Sequence, residues 1–340
     1  MTPHHFHTII IGAGPAGLTC ARILAARGKR VLVCEKNKII GPKICAGGVT
    51  CSGLSQAIPS RLVERQFPIQ NVSSSFQKTR LRAAEPMVST VNRGDLGKWM
   101  TETAVEAGAE VGTETIVQKI TSTEVITNKG VYSFDFLVGA DGSNSFVRRF
   151  LNLPTEKMGV GIQYHIPISM PDMVWHLDPQ QFNTGYCWIF PQAQRTSVGA
   201  YCFRRDMSPK TLKRRLHSWL DSHEIKYHSI KPEAANINFD YRGWNFNNIF
   251  LAGDAAGLAS GLTGEGILPA IISAEEIAAT ILDSGHQPIR LSRLIRNHNR
   301  HTRLLLLAGK NKFACQLIME SLILALKMKI IPFSALEMAH

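Results

Sequence analysis

The chain has 340 residues, of which 44% are hydrophobic, and a formal net charge of +12 at pH 7. This length suffices for the core of one large domain or two modest ones. The basic residues are scattered apart from clusters at residues 210–215 and 290–303, and neither cluster is interleaved with aromatic side chains, so nucleic-acid binding is not expected. Anionic lipid or a diphosphate group suits the excess charge better, with solvated surface charge as the alternative.

No segment has the pattern of a leader peptide or a membrane span. The N-terminus lacks a basic stretch followed by a long apolar run, and no predominantly apolar stretch reaches about 20 residues. The histidine-rich start, with His4, His5 and His7, is expected to be a disordered terminus rather than a metal site. The cysteines form no C-x-x-C pair, which predicts a reduced cytoplasmic protein without a metal. They are Cys20, Cys34, Cys45, Cys51, Cys187, Cys202 and Cys315.

The most informative stretch lies at residues 8–35. A short β-branched run, residues 8–11, predicts a buried parallel strand, and a complete G-x-G-x-x-G follows it. In such a motif Gly12 permits a tight turn, Gly14 lets a pyrophosphate approach the backbone, and Gly17 permits close packing of helix on strand. The helix predicted over residues 16–27, which starts at Ala16, directs its N-terminal amides at the phosphates.

A second strand, residues 30–34, ends in Glu35, whose carboxylate can accept hydrogen bonds from a ribose hydroxyl pair. Strand, glycines, helix and acid together predict a dinucleotide site, and a tight turn in an ordinary βαβ unit is the alternative. The glycine-rich loop that starts at Lys36 is expected near the cofactor. Cys45 in this loop either lies over the reactive ring or is a small buried thiol.

Further along the chain, Arg93 begins a predicted helix that ends near residue 107. It is either a cofactor contact or a surface arginine. A buried strand then leads into Asp141 and Gly142, before a helix for which Ser143 or Ser145 is the expected cap.

A third strand leads into Gly253 and Asp254 and, through a glycine-rich loop, into a helix predicted over residues 267–282. Asp254 at a strand end can accept a hydrogen bond from a sugar hydroxyl. The N-terminus of the helix after Gly266 can stabilise negative charge on a ring. Turn or cap residues are the alternative for both aspartates.

The region from 155 to 245 alternates apolar and polar residues. Tyr186, Trp188 and Phe190 are spaced by two and share one face of a strand, which predicts an aromatic wall or, alternatively, a core-facing stripe. Two helices predicted over residues 290–308 and 312–329 have apolar and basic faces. They cover the substrate pocket, lie on a membrane surface or simply pack against the core.

Together these stretches resemble the flavoprotein group that includes para-hydroxybenzoate hydroxylase and, within it, the geranylgeranyl reductases. The resemblance spans about residues 5–285. It rests on C-x-G-G at residues 45–48, Y-x-W-x-F-P at 186–191 and L-T-G-E-G at 262–266. Two departures are Asn183 and Gly261, where the family often has proline. The chain is also short for the family, so its substrate end is expected to be trimmed.

The resemblance implies an α/β chain, α+β overall, with a Rossmann-type FAD-binding domain, an inserted mixed β-sheet substrate domain and a helical C-terminal segment. The implied boundaries are 1–75, 86–155 and 240–285 for the FAD-binding domain, 76–85 and 156–239 for the substrate domain, and 286–340 for the C-terminal segment.

The resemblance also assigns residues to the site. Cys45 is the catalytic candidate beside the flavin, the aromatic motif lines a prenyl pocket, and no metal is expected. The expected cofactor contacts are Gly12, Gly14, Ala16, Gly17, Glu35, Lys36, Cys45, Ala46, Gly47, Arg93, Asp141, Gly142, Gly253, Asp254, Gly264, Glu265, Gly266 and Ile267.

The implied activity is FAD-dependent reduction of carbon–carbon double bonds in a geranylgeranyl-type chain, by hydride transfer from reduced flavin. The substrate is a prenyl lipid or prenyl diphosphate. Because there is no second G-x-G-x-x-G, NAD(P)H without its own Rossmann domain or a reduced electron-carrier protein is the donor. A cytoplasmic protein is expected, with peripheral contact at the inner face of the membrane as a variant.

Two rival functions stay open. The first is a flavin monooxygenase or halogenase, because residues 185–191 are close to the G-W-x-W-x-I-P motif of the halogenases. The second is a non-catalytic flavoprotein that binds prenyl lipids or transfers electrons. The sequence identifies no proton donor.

Overall fold

The computed structural model describes residues 4–50 and 54–338, and Cys51 lies outside them. In chain order the strands are β1 (His4–Ile11), β2 (Val31–Cys34), β3 (Gly48–Thr50), β4 (Val63–Phe67), β5 (Ile69–Ser74), β6 (Lys78–Arg82), β7 (Val88–Val91), β8 (Glu110–Gly112), β9 (Val117–Ile120), β10 (Glu124–Thr127), β11 (Gly130–Gly139), β12 (Met158–Ile166), β13 (Val174–Leu177), β14 (Tyr186–Pro191), β15 (Thr196–Phe203), β16 (Glu233–Asn238), β17 (Asn245–Phe246) and β18 (Ile249–Leu251).

The α-helices are α1 (Pro15–Ala25), α2 (Leu54–Ala57), α3 (Arg93–Glu106), α4 (Phe146–Phe150), α5 (Pro179–Phe182), α6 (Pro209–Ser222), α7 (Ile267–Leu282), α8 (Ile289–Ala308) and α9 (Lys312–Lys327). Short 3₁₀ turns occur at Ser60–Leu62, Gly253–Ala255 and Phe333–Leu336. Among the helices of residues 4–50 and 54–338, none has the length and apolar content needed to cross a bilayer.

The first sheet brings the three predicted cofactor stretches together. Its strands run in the order β17-β18-β11-β1-β2-β8, with β9 and β10 attached as a hairpin to β11. Strands β18, β11, β1, β2 and β8 are parallel, so their carboxyl ends meet at one edge. Gly12, Glu35, Asp141 and Gly253 follow four of these strands and therefore lie at that edge, where open α/β sheets bind their ligands.

Both faces of this sheet are covered, as its apolar strands require. Successive side chains of β1 point to opposite faces. Ile10 joins the core formed with α1, α3 and α7, whereas Ile9 and Ile11 join the core that includes Leu291 and Leu294 of α8. The helix predicted over residues 267–282 is confirmed as α7.

The first strand is longer than predicted. His4, His5 and Phe6 pair in parallel with β11, so β1 begins at His4 and the expectation of a disordered start was wrong from that residue onward. The sequence did not indicate this extension, because His4 and His5 are polar. They are exposed and precede the apolar run of β1, outside the covered part of the sheet.

The second sheet has the order β16-β12-β15-β14-β13-β5-β6, antiparallel except for the pair β5–β13. One face packs on α6, and the other carries the aromatic residues of β14. A small third sheet joins β3, β7 and β4. The predicted fold class is confirmed, with a first sheet built on five parallel strands, a mixed second sheet and C-terminal helices.

The domain boundaries stay a prediction, and one of them does not coincide with the strand pairing. Ile69–Ser74 belongs to the second sheet, although the first predicted segment runs to residue 75. This pairing joins β5 to a partner about a hundred residues away in parallel register, which no local pattern in the sequence reveals.

Helix α3, which carries Arg93 at its first position, depends on a side-chain cap. Asn92 Oδ1 accepts hydrogen bonds from the amides of Gly94 at 2.8 Å and Asp95 at 3.4 Å. We expect Asn92→Ala to lower the free energy of unfolding by about 1 kcal/mol, the usual value of such a cap. Urea unfolding measures this loss. Asn92→Asp retains the acceptor and is the control; equal losses in both variants would contradict a capping role.

Candidate active site

A cavity of about 670 Å³ lies at the carboxyl edge of the first sheet and continues along the second sheet. Its size is that of an ordinary ligand site. Gly17 and Gly47 are the predicted site residues that do not line it. Those that do are Gly12, Gly14, Ala16, Glu35, Lys36, Cys45, Ala46, Arg93, Asp141, Gly142, Tyr186, Trp188, Phe190, Gly253, Asp254, Gly264, Glu265, Gly266 and Ile267.

The glycine-rich turn opens into this cavity. Gly12 has a φ of +102°, a conformation that favours glycine. A Cβ placed on Gly14 would meet no described atom within 4 Å, whereas a Cβ on Gly17 would lie 1.9 Å from the carbonyl oxygen of Gly12. No described side chain caps α1 at Gly14, so the first amides of the helix are available to an anion.

Glu35 is held in place by the chain around it. Its Oε2 accepts a hydrogen bond from the amide of Ala13, and its Oε1 accepts one from the amide of Asn37, both at 2.9 Å. An ionised carboxylate has about four lone-pair positions. Asn37 Nδ2 also donates to Oε1, at 2.7 Å. Three of these positions are therefore occupied, and Glu35 keeps acceptor capacity for one ligand hydroxyl.

Two polar side chains at the cavity, Arg93 and Asp141, have buried atoms without a partner within the described chain. Asp141 Oδ2 accepts hydrogen bonds from the amides of Phe146 and Val147, but its Oδ1 has no partner there, and burial raises the pKa of this carboxyl. The Nε and Nη1 of Arg93 are likewise buried without a described partner. Buried polar atoms are normally satisfied, so this arrangement leaves donors and an acceptor for a polar ligand.

Asp254 joins three segments of the chain. Its Oδ2 accepts hydrogen bonds from Ser143 Oγ at 3.0 Å and from Lys43 Nζ at 3.1 Å. Asp254 therefore fixes the loops that surround the mouth of the cavity.

Of the two cap candidates for α4, Ser145 is the cap, because its side chain accepts a hydrogen bond from the amide of Arg148.

Glu265 is a half-buried residue in the loop before α7. Its Oε1 accepts a hydrogen bond from the hydroxyl of Thr50 at 3.1 Å, and its Oε2 accepts one from the amide of Met338 at 2.9 Å. Burial raises its pKa to about 7. No described side chain caps α7 at Gly266, so the amides at this helix end also face the cavity.

The cysteine loop places one accessible thiol at the cavity. Cys45 is half-buried, and its Sγ accepts a hydrogen bond from the amide of Gly47 at 3.4 Å. Cys20 and Cys34 are buried, and burial raises the pKa of their thiols to about 12. Gly47 lies behind the cavity wall, where a Cβ would be 2.9 Å from the carbonyl oxygen of Val91.

The aromatic wall predicted on β14 faces the cavity rather than the core against α6. The ring of Trp188 lies 6.0 Å from that of Tyr186 and 6.2 Å from that of Phe190, measured between centroids. Trp175 of β13, which no pattern in the sequence singled out, has its ring centroid 4.6 Å from that of Phe190. Trp175 pairs with Trp188 across the strands, and strand register was the only signal that could have identified it.

The C-terminal segment forms the apolar end of the cavity. Met319, Ile323 and Leu326 of α9, followed by Phe333 and Leu336, line this end. One interpretation left open for these helices was that they cover the pocket, and α9 does so. Its contribution was not predictable residue by residue, because it comes from the tertiary packing of distant parts of the chain.

Comparisons with known proteins identify the family. The model of the family described as FAD binding domain matches residues 5–282. The geranylgeranyl diphosphate reductase of Rhodobacter capsulatus is 31% identical, over 82% of this chain and 76% of its own.

Solved structures share the fold. A geranylgeranyl bacteriochlorophyll reductase-like protein from Thermoplasma acidophilum has a TM-score of 0.80 and 20% identity, and the match covers 99% of this chain and 96% of that one. PqsL of Pseudomonas aeruginosa, a probable FAD-dependent monooxygenase, has a TM-score of 0.69 and 19% identity, with 93% and 100% covered.

The residues present fit FAD. Open space at Gly14, uncapped helix ends at α1 and α7, and the atoms of Arg93 and Asp141 that lack described partners are what a ligand with phosphates, hydroxyls and a polar ring requires. The predictions of FAD as cofactor and of an oxidoreductase are confirmed by the family match. This chain belongs to the geranylgeranyl reductase family of FAD-dependent oxidoreductases.

Proposed function

We propose that this protein reduces carbon–carbon double bonds of a geranylgeranyl-type chain, carried by a prenyl diphosphate or a prenyl lipid. The observation that carries the proposal is the shape of the site. One cavity joins the glycine-rich and acidic cluster at the first sheet to the apolar wall of β14 and α9. The relative from Rhodobacter capsulatus, named geranylgeranyl diphosphate reductase, supports the same substrate class.

The polar end of the cavity is the part of the chain that would hold FAD, which in its reduced form supplies hydride. The α1 amides behind Gly14 and the guanidinium of Arg93 are placed to bind its phosphates. Glu35 is placed to accept from ribose hydroxyls. The uncapped end of α7 would stabilise negative charge on the ring.

The apolar end is suited to position a hydrocarbon chain and exclude water. Tyr186 is fixed by a hydrogen bond from its hydroxyl to the carbonyl oxygen of Thr263, and Trp188 is fixed by one from its Nε1 to Ser197 Oγ. Both rings therefore line the cavity in fixed positions. Such rigid aromatic surfaces bind apolar chains without losing side-chain freedom.

Glu265 is the group we assign to deliver the proton. Oε2 accepts from the Met338 amide, which can only donate, whereas the Thr50 hydroxyl at Oε1 can donate or accept. In the neutral carboxyl, a proton on Oε1 would donate to the Thr50 hydroxyl, which would then act as acceptor, while Oε2 would keep the hydrogen bond from Met338. With a pKa of about 7, Glu265 is protonated in a large fraction of molecules at neutral pH.

Chemically reduced enzyme tests this function under strict anaerobic conditions. We would mix it with geranylgeranyl diphosphate and, separately, with a geranylgeranylated lipid, and follow flavin absorbance and product mass. Flavin reoxidation with a gain of two hydrogens per reduced double bond supports the proposal. Substrate consumption only after oxygen is admitted would favour a monooxygenase or halogenase. Bound FAD without product in any arm would favour a non-catalytic flavoprotein.

The electron donor belongs to the same proposal. The sequence has no second G-x-G-x-x-G, so we infer that either NAD(P)H binds without its own Rossmann domain or an electron-carrier protein reduces the enzyme. Anaerobic titration with NADH, NADPH and a reduced ferredoxin-type carrier separates the two, because only the true donor bleaches the flavin rapidly.

Cys45→Ala is expected to retain FAD and to slow substrate reduction by about tenfold, the effect of losing an interaction of ~1.4 kcal/mol. The physical reason is the contact between Cys45 Sγ and the amide of Gly47, which orders the loop at the cavity. Stopped-flow absorbance measures the rate. Cys45→Ser keeps an acceptor and is expected to lie near the native rate; unchanged turnover in the alanine variant would remove Cys45 from the mechanism.

A further inference from the structure

The outward side of α9 carries large apolar side chains that the described chain leaves in solvent. Residues 313, 317, 324 and 328 are spaced so that they share one side of the helix. We name these four positions the α9 outer face. Their exposed fractions are 79% for Phe313, 58% for Leu317, 46% for Leu324 and 61% for Met328. Single exposed apolar residues are ordinary, but a continuous group marks an interaction surface.

The opposite side of the same helix lines the cavity. Met319, Ile323 and Leu326 are in contact with the space where we place the prenyl chain. An α-helix with its side chains is only about 10 Å across. The α9 outer face therefore lies one helix away from the apolar end of the cavity.

Charge around the α9 outer face is positive. Lys310 and Lys312 precede or begin the helix, Lys327 and Lys329 lie at its end, and all four are exposed. The acid of residues 310–330 is Glu320, which lies between Leu317 and Leu324 at the edge of this face and whose carboxylate has hydrogen-bond partners of its own.

Glu320 is engaged by the β5–β6 hairpin. Its Oε2 accepts hydrogen bonds from Ser74 Oγ at 2.8 Å and from Gln77 Nε2 at 2.6 Å. The carboxylate is therefore held toward the second sheet, and the lysines at both ends of the α9 outer face are not neutralised by it.

We propose that the α9 outer face docks on an anionic lipid bilayer, with its apolar side chains in the acyl boundary and its lysines at the headgroups. The inference rests on the proposed function, because a prenyl substrate that resides in a bilayer then has a short path to the cavity. A second copy of the chain fits less well, since self-association through this face would bring like charges together.

Flotation of the FAD-loaded full chain with vesicles tests the proposal. Vesicles of phosphatidylcholine alone are compared with vesicles that also contain phosphatidylglycerol, and no substrate is present. We expect binding to the anionic vesicles that weakens with salt. Leu317→Ser/Leu324→Ser and, separately, Lys327→Glu/Lys329→Glu are expected to weaken it at least tenfold.

Matched controls lie elsewhere on the surface. Ile168→Ser/Val105→Ser changes side chains that are 57% and 51% exposed, and Lys119→Glu/Lys226→Glu reverses two exposed lysines. Both controls are expected to bind as the native chain does. Absent binding to anionic vesicles, or equal weakening in variants and controls, overturns the proposal. So does a concentration-dependent dimer, seen by sedimentation velocity, that Leu317→Ser/Leu324→Ser disrupts.

The same samples separate this proposal from the proposed function. Reduction of free geranylgeranyl diphosphate by chemically reduced enzyme needs no vesicle. Retained reduction with lost vesicle binding in the α9 variants supports both proposals. Vesicle binding without any reduction counts against the reductase function alone, and reduction in a chain that never binds vesicles counts against the docking surface alone.

Discussion

Gly14→Ala is expected to fold as the native chain does and yet to bind FAD at least tenfold more weakly, a loss of ~1.4 kcal/mol or more. Gly14 has φ −81° and ψ −178°, a conformation that alanine adopts freely. A Cβ at this position meets no described atom within 4 Å, so the apoprotein loses nothing. The added methyl group instead occupies the space through which a pyrophosphate approaches the backbone.

Gly17→Ala, in contrast to Gly14→Ala, is expected to destabilise the apoprotein itself. Its Cβ would lie 1.9 Å from the carbonyl oxygen of Gly12 and 3.3 Å from Cγ2 of Ile10. Because the first of these atoms is backbone, α1 must move away from β1, at a cost of about 3 kcal/mol or more. Urea unfolding of the apoproteins and fluorescence titration with FAD separate the two variants. Equal loss of stability in both would contradict the different roles assigned to these glycines.

Features formed by residues close together in the sequence could be predicted, whereas features formed by distant segments could not. The first unit could be predicted because it lies within about thirty residues, in which each element constrains the next: strand, glycines, helix and Glu35. Asp141 and Gly253 were found because each directly follows a buried strand, and parallel strands bring such ends together. Trp175 and the cavity face of α9 depend on register and packing between distant segments, which a single sequence does not display.

The departures from the family pattern have local physical reasons. Asn183 has φ +52°, which proline cannot adopt because its ring holds φ near −65°. A Cβ on Gly261 would lie 2.6 Å from the ring of Phe239. Neither position can take proline in this packing. The motifs that follow them, at Tyr186 and at Glu265, nevertheless reach the cavity.

Glu265→Gln is expected to lower the rate of substrate reduction about 100-fold while FAD stays bound, because general acid catalysis contributes at least that factor. Glutamine can accept from the Met338 amide through its carbonyl oxygen and donate to the Thr50 hydroxyl from its amide nitrogen, but it carries no transferable proton. In the native enzyme the rate should fall as pH rises through about 7, the pKa that burial gives Glu265. The variant should lose this dependence. Single-turnover measurements across pH with chemically reduced enzyme check both.

Stability supplies an independent test of the same carboxyl. The folded chain raises the pKa of Glu265 from 4.5 to about 7, so between these values the folded state binds more protons than the unfolded state. The stabilisation is complete below pH 4.5 and is lost as pH rises to about 7, on the order of 3 kcal/mol. Glu265→Gln should therefore gain stability relative to the native chain at pH 8 and lose that advantage at pH 4.5.

Glu337→Gln distinguishes proton delivery from a structural role. The charge of Glu337 helps to raise the pKa of Glu265, so its removal should shift the native rate profile toward lower pH while the maximal rate is kept. If Glu265 only fastens the C-terminal segment through the Met338 amide, this variant would leave the position of the profile unchanged. We expect the rate profile of Glu337→Gln to shift toward lower pH and the rate of Glu265→Gln to be independent of pH. Both results together would be explained by a proton that resides on Glu265 itself.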